Sequence, residues 1–270
     1  MTTGAENKDW LARAKDWWST KIIDIRPGII RVKGKPIEDL IGNISYAHMV
    51  WLMCRDDEPS PAQARLLEAA LVSAVDHGPQ APSIAISRMA VTCGLPLNGA
   101  MASAINVLDD VHGGAGEQCL ALFECIRSYA ASKPMSDATE QALDEYSNTH
   151  GKIIPGYGHR FHPVDPRAVR LLSLIDEAAK AGVVTGHYAE IGRQVETSLG
   201  KRSGRHIPMN IDGATAVVYG ELGFEPELAR GLFVLSRSVG ILAHAWEQKQ
   251  QGGRIKGPMP PDMGYRYTGK

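Results

Sequence analysis

Apolar residues recur along most of this chain at intervals of three and four, Ala, Leu, Glu and Gln dominate, and alternating β-branched runs are few, so the pattern predicts a mainly α fold. Around Pro61 the helical signal is complete. Ser60 is placed as an N-cap, Pro61 suits the first helical position, Leu67, Leu71 and Ala74 share an apolar face, and Gly78-Pro79 ends the run. The same signals place helices over 84–93, 116–132, 136 or 137 to about 150, 166–179, 188–199, 212–220 and 225–250. Only KIIDIRPGIIRVKGKPI reads as strand, with Arg26-Pro27-Gly28 as the turn of a short N-terminal β-hairpin. Two glycine-rich breaks divide the helices, His112-Gly113-Gly114-Ala115-Gly116 and Pro155-Gly156-Tyr157-Gly158-His159, and each sets a histidine beside backbone that a ligand can approach closely.

Composition narrows the choice of partner more than the choice of fold. A chain of 270 residues, 44% hydrophobic, buries a sizeable core as one large domain or two small ones, without disulfides or metal. Its 29 basic and 30 acidic residues nearly cancel, so no excess positive potential points to nucleic acid or an acidic membrane, and a small molecule is the expected partner. Cys54, Cys93, Cys119 and Cys125 form no CxxC pair, which fits reduced, mostly buried thiols and a cytoplasmic protein better than a disulfide framework or a zinc site. The charged N-terminus lacks an apolar signal core, and the most apolar later stretch, 231–246, is interrupted by Arg237 and His244, so neither a signal peptide nor a membrane span is expected.

Each candidate motif has an ordinary structural reading. VHGGAGE is also a tight helix start, PGYGHR a polar turn, and NIDGAT an ordinary turn or helix cap formed by Asn210 and Asp212, with Asp212 accepting backbone N–H bonds. Together, however, two histidines and a carboxylate on glycine-flanked turns make a set of acids and bases suited to enolisation. Arg237 reads as a surface or capping arginine or, given the apolar residues around it, as a buried cation that wants an anion.

PGYGHRFHPVDPRA resembles the signature of the citrate synthase superfamily, and VHGGAGE, NIDGATAVVYGELGF and FVLSRSVGILAHAWEQ follow that family's order. SAVDHGPQAPSIAISRMAVTCG is similar to the citryl-CoA lyase branch, which includes the C-terminal module of ATP-citrate lyase. The resemblance runs from about Gly34 to the C-terminus, and the size of the chain fits a free-standing citryl-CoA lyase module.

The resemblance implies a citrate synthase-like helical fold with a large and a small helical region, the smaller, mobile one inserted at roughly 135–215 within a single domain spanning 1–270. It implies catalytic roles for Asp212 as the carbon acid-base, for His112 as donor to the thioester oxygen, and for His159 at the ketone or tertiary alcohol oxygen. His77, Arg167 and Arg237 fall at the positions that bind substrate carboxylates. Gly156, Tyr157, Gly158, Arg160 and Lys152 are expected to meet coenzyme A, with Lys201, Arg202 and Arg205 as weaker candidates. His162, His187, His206 and His244 read as structural, with His244 the first exception to consider because it follows Arg237 by seven residues on one helix face. No metal and no resident cofactor is implied, since the coenzyme A thioester is itself the substrate. A homodimer or homotetramer is expected, and Trp10, Trp17 and Trp18 pack either across such a contact or within the monomer.

One position departs from the pattern. Citrate synthases place an arginine before a C-terminal proline, and here Gly257 stands there, with Arg254, Lys256 and Arg266 as nearby replacements. Three activities follow as expectations: cleavage of citryl-CoA to acetyl-CoA and oxaloacetate, condensation to citrate or 2-methylcitrate, or a non-catalytic CoA-binding or assembly role.

Overall fold

Side chains of Ser45, Ser60, Asp165 and Asn210 close the helix starts that follow them, and the computed structural model describes residues 4–159, 162–255, 260 and 262–270. The chain divides into two compact units, Met1–Arg65 and Leu66–Lys270.

The first unit holds α1 (Gly4–Trp17), strands β1 (Ile23–Arg26), β2 (Ile29–Val32) and β3 (Lys35–Pro36), and helices α2 (Ile37–Leu40) and α3 (Tyr46–Cys54). The predicted hairpin is present, Arg26 pairing with Ile29, and a third antiparallel strand joins it in the order β1-β2-β3. Gly28, at φ 74°, takes the left-handed backbone that this two-residue turn demands. Val32, Leu40 and Leu52 form a small core. Trp10, Trp17 and Trp18 are exposed.

Helix α4 (Pro61–Ser73) contains the division between the units and begins with a reciprocal capping box. The Gln63 N–H donates to Ser60 Oγ at 3.2 Å and the Ser60 N–H to Gln63 Oε1 at 2.8 Å. The second unit continues with α5 (Pro82–Thr92), α6 (Leu97–Ile105), α7 (Ala115–Ala130), α8 (Met135–His150), α9 (Pro166–Lys180), α10 (His187–Ser203), α11 (Ile211–Glu221) and α12 (Pro226–Gln251). Helix α6 was not legible in the periodicity, whose Ala-, Gly- and Asn-rich run gives a weak face; the other helices of this unit follow the predicted order.

Two helices organise this unit. Helix α11 packs against α7, α9 and α10, and nearly every residue from Ile211 to Gly220 is buried, so small side chains on it let its neighbours approach. Helix α12 packs against α5, α6 and α7. Among the described helices it is the one long and apolar enough to cross a membrane by length and composition, but its buried residues, Leu232, Ser236, Arg237, Gly240, Ile241 and Ala245, face protein. Large fully buried side chains such as Phe123, Ile126, Leu143, Ile175 and Ile191 fill the space between helices, each contributing roughly 1.5–3 kcal/mol by its removal from water. The end of α11 caps the start of α10: the Glu221 carboxylate accepts from the N–H groups of Thr185, Gly186 and Tyr188.

The cysteines correct one expectation. Cys119 is buried, but Cys54 and Cys93 are exposed and Cys125 is half-buried, because the latter three lie at helix ends or on partly open helix faces rather than in the core.

Candidate active site

The chemistry-bearing turns meet at the start of α11. Asn210 is its N-cap, and its side chain accepts from the N–H groups of Asp212, at 2.9 Å, and Gly213, at 3.3 Å. Capping is therefore done by Asn210, and the carboxyl of Asp212 is left for other work. Asn210 also anchors the second glycine turn. Its N–H donates to the Gly156 carbonyl oxygen at 2.9 Å, its Nδ2 to the Gly158 carbonyl oxygen at 2.7 Å, and the Gly158 N–H donates to Pro208 O at 2.8 Å. Gly156 has to be glycine: its φ is 84°, and a Cβ would fall 2.5 Å from Cys119 Sγ and 2.9 Å from the Gly213 Cα. The paired segments 156–158 and 208–210 thus deliver His159 and Asp212 to one region.

His159 comes with a defined tautomer. The N–H of His162 donates to His159 Nδ1 at 3.1 Å, so the neutral ring carries its proton on Nε2. His162, read from the sequence as structural, therefore supports a site residue, and the two ring centroids lie 4.6 Å apart. The His77 ring faces His159 edge-on, 5.8 Å between centroids.

His112 has the opposite tautomer. Its Nε2 accepts the backbone N–H of Ser83, in the first turn of α5, at 3.2 Å, and lies 3.0 Å from Ser83 Oγ, so the proton resides on Nδ1. Burial, with Arg237 and His77 nearby, lowers the His112 pKa and keeps the ring neutral at neutral pH. Burial lowers His77 and His159 as well, with Arg167 adding to both.

Arg167 is fixed by the residue two before it. Asp165, 1% exposed, caps α9 by accepting the Arg167 N–H at 3.0 Å, and grips the Arg167 guanidinium through Nε at 3.0 Å and Nη2 at 2.9 Å. Its Oδ2 also accepts the Ile211 N–H at 3.2 Å, so one buried carboxylate ties the start of α9 to the start of α11. Arg237, 6% exposed, donates from Nε to the Ala74 carbonyl oxygen at 3.1 Å and lies over the Phe233 ring at 5.0 Å. It is both a capping arginine and a buried cation, two readings the sequence left open.

Asp212 lies in the fields of Arg167 and Arg237. Burial nonetheless dominates and raises its pKa, which favours a carboxyl able to hold and return a proton. The assembly offers a half-buried aspartate whose carboxyl is held above its ordinary pKa, two neutral imidazoles of opposite tautomer and two fixed guanidiniums. Such a set can move a proton at carbon while steadying two oxygens and holding an anionic substrate.

The residues expected to meet coenzyme A are placed less uniformly. Tyr157 is corrected: its ring is buried and its hydroxyl donates to the Gly192 carbonyl oxygen at 2.8 Å, so its side chain braces the core. Lys152 is exposed, Gly158 forms the turn before His159, and Arg160 lies outside the described residues, as do Lys256 and Gly257. Arg202 bonds Glu140 and Asp144, and His206 pairs with Glu196, which accounts for both structurally. Among the described residues no group of three or more His, Cys, Asp and Glu side chains could hold a metal ion. Sequence reasoning missed Ser83, Asp165 and Asp76 as supports, and gave to Asp212 the capping bonds that Asn210 makes. The Asp-Pro-Arg helix start was a local signal for Asp165, whereas nothing local joins Ser83 to His112.

Residues 26–258 match the family described as Citrate synthase, C-terminal domain. The chain belongs to the citrate synthase family. Within that family it is 30% identical over 234 residues to a citrate synthase of Synechocystis sp., a match covering 85% of this chain and 56% of that protein. The chain spans about half the length of the citrate synthases it matches. The structure of citryl-CoA lyase from Hydrogenobacter thermophilus superposes with a TM-score of 0.81 at 30% identity, covering 94% of this chain and 95% of that one. The ATP citrate lyase of Methanothrix soehngenii, solved with citrate and coenzyme A, shares the fold at a TM-score of 0.76 and 22% identity, over 100% of this chain and 45% of that one. The citrate synthase-like helical fold expected from the motifs is thereby established.

Proposed function

We propose that this family member cleaves citryl-CoA, or a close homologue, into acetyl-CoA and oxaloacetate. One observation carries carbon–carbon chemistry of this kind: the desolvated Asp212 carboxyl lies in the field of Arg167 and Arg237, in the same cluster as two neutral imidazoles whose tautomers are set by Ser83 and His162. The likeness to a citryl-CoA lyase over nearly the whole of both chains supports the cleaving direction.

In that direction the hydroxyl proton leaves toward His159 as the carbon–carbon bond breaks, the released carbon becomes an enolate on the thioester, and protonated Asp212 supplies the proton that makes the methyl group. His112, through Nδ1–H, steadies the thioester oxygen while it carries enolate charge. Arg167, Arg237 and His77 hold the carboxylates. Coenzyme A is the handle of the substrate, with Lys152, Arg160 and the Gly158 turn as its contacts.

A second reading is condensation to citrate or 2-methylcitrate, the same proton transfers run in reverse, with His159 returning its proton to the ketone oxygen. The citrate synthases among its relatives support the same reading. For oligomerisation, Leu235, Val239, Leu242 and Trp246 leave an exposed apolar stripe on α12, which supports a homodimer or higher assembly.

The deciding experiment gives the purified protein citryl-CoA and follows oxaloacetate, by coupled NADH oxidation, and free CoA thiol separately, with His159→Ala as the control. Oxaloacetate without free CoA is the expected result. Free CoA with citrate replaces the lyase with a synthase, and neither product from the folded wild type defeats both.

A further inference from the structure

Asp76 lies directly beneath α12 because Gly240 lets it. A Cβ at Gly240 would fall 3.1 Å from Asp76 Oδ1 and nearer still to the Val75 carbonyl oxygen. Arg237 and His244 flank Gly240 at i−3 and i+4, on the same face of α12. His244 Nε2 is 3.3 Å from Asp76 Oδ2, and its Nδ1 is 3.3 Å from Arg88 Nη1. A guanidinium only donates, so Nδ1 accepts and the His244 proton sits on Nε2, aimed at Asp76. Arg88 is itself held by Glu247, at 2.6 Å, and Gln251, at 2.7 Å. Asp76 Oδ2 also accepts the Gly78 N–H at 3.2 Å, closing the turn that carries His77. Asp76 Oδ1 is buried and makes no hydrogen bond among the described residues, while Arg237 spends its Nε on Ala74.

We propose that Asp76 is the positioning residue for both Arg237 and His77, and that His244 and Arg88 act on the substrate only through it. Asp76 joins the His77 turn to α12, two residues after the Ala74 carbonyl that holds Arg237 Nε, and supplies negative charge to the α12 face from which that nearly solvent-free guanidinium projects. Burial pushes its carboxyl up, but the bond from His244 and the N–H groups of Gly78 and His77 outweigh this and keep it ionised at neutral pH. Burial also opposes the charge of Arg237, and Asp76 is the foremost group restoring it. The proposal rests on the reading of Arg237 and His77 as carboxylate-binding groups.

The test uses the full chain and the variants Asp76→Asn, His244→Gln and the two combined. Calorimetry reads oxaloacetate and CoA binding, and nitrogen-15 NMR reads solvent exchange of the Arg237 Nε–H, assigned by its loss in Arg237→Lys. Asp76→Asn is expected to weaken oxaloacetate binding about tenfold, leave CoA binding within about twofold, and speed Nε–H exchange about tenfold. The double variant is expected to lose no more than Asp76→Asn alone, since His244 works through Asp76. Additive losses, or wild-type exchange in folded Asp76→Asn, overturn the proposal. If Asp76→Asn does not fold, Asp76→Glu, which keeps the charge but shifts it by a methylene, decides on the same reading. A wild type that binds no oxaloacetate strikes the functional reading, while Nε–H exchange still decides the role of Asp76.

Discussion

Gly156 and Gly213 lie back to back, so close that a Cβ on Gly156 would stand 2.9 Å from the Gly213 Cα. This contact seats the His159 turn on the first turn of the Asp212 helix. Gly213→Ala drives a methyl group into the Gly156 carbonyl and the Met209 side chain. The expected cost is about 1–3 kcal/mol of stability from overpacking, read by denaturant melts. Because the displaced turn carries His159, kcat/KM is expected to fall by roughly 100-fold or more, beyond what lost stability explains.

Asp212→Asn separates function from stability. Burial raises the Asp212 pKa, so its ionised form weighs against the folded state at neutral pH. The amide removes that charge, and Tm is expected at or above wild type while turnover falls roughly 100- to 10,000-fold. A Tm well below wild type, in thermal melts at pH 7, would show the charge to be stabilising instead.

Asp165→Ala leaves Arg167 without its bidentate partner, uncaps α9 and orphans the Ile211 N–H. The Arg167 side chain is 25% exposed, so solvent takes up part of its charge, and the expected loss is about 3 kcal/mol. KM for the carboxylate substrate should rise with it, since Arg167 loses its aim; steady-state kinetics on the folded fraction reads this.

Acid sensitivity follows from three imidazoles. His77, His112 and His159 all have pKa values lowered below the usual 6.5, burial being the first cause in each. The unfolded chain therefore takes up these protons more readily, so their contribution is intact above about pH 6.5 and is lost as pH falls through the lower folded values. Melts from pH 8 to 5 are expected to show a declining Tm on the acid side. The slope should flatten when all three are replaced by Gln, and an unchanged slope would assign acid sensitivity to other groups.

Much of the helical order was legible because caps and stops are local. Ser60 with Gln63, Pro166 after Asp165, and the glycines ending several helices carry their instructions within a few residues. Helices α1 to α3 and α6 were not foreseen, α6 because its small residues give no strong face, and Lys35-Pro36, inside the stretch read as strand, forms a third strand beyond the expected hairpin.

The candidate site was legible as residue types on glycine turns, and the family match bears out the family resemblance that those motifs carried. Its supports were not. Tyr157 stood in a motif yet turns inward to Gly192, because a ring flanked by two positive-φ glycines goes where the core has room.

The sequence by itself determined the mainly helical class, the helix boundaries set by local capping, and the family, since these depend on neighbours along the chain or on short strings in order. Tertiary structure alone decided which nitrogen of His112 and of His159 bears the proton, which carboxylates are buried, and which aspartate grips Arg167. Those properties are set by groups far apart in sequence, such as Ser83 and His112, Asp165 and Ile211, or Asp76 and His244. Protonation responds to the donors, charges and solvent around a group, and none of these exists until the chain has folded.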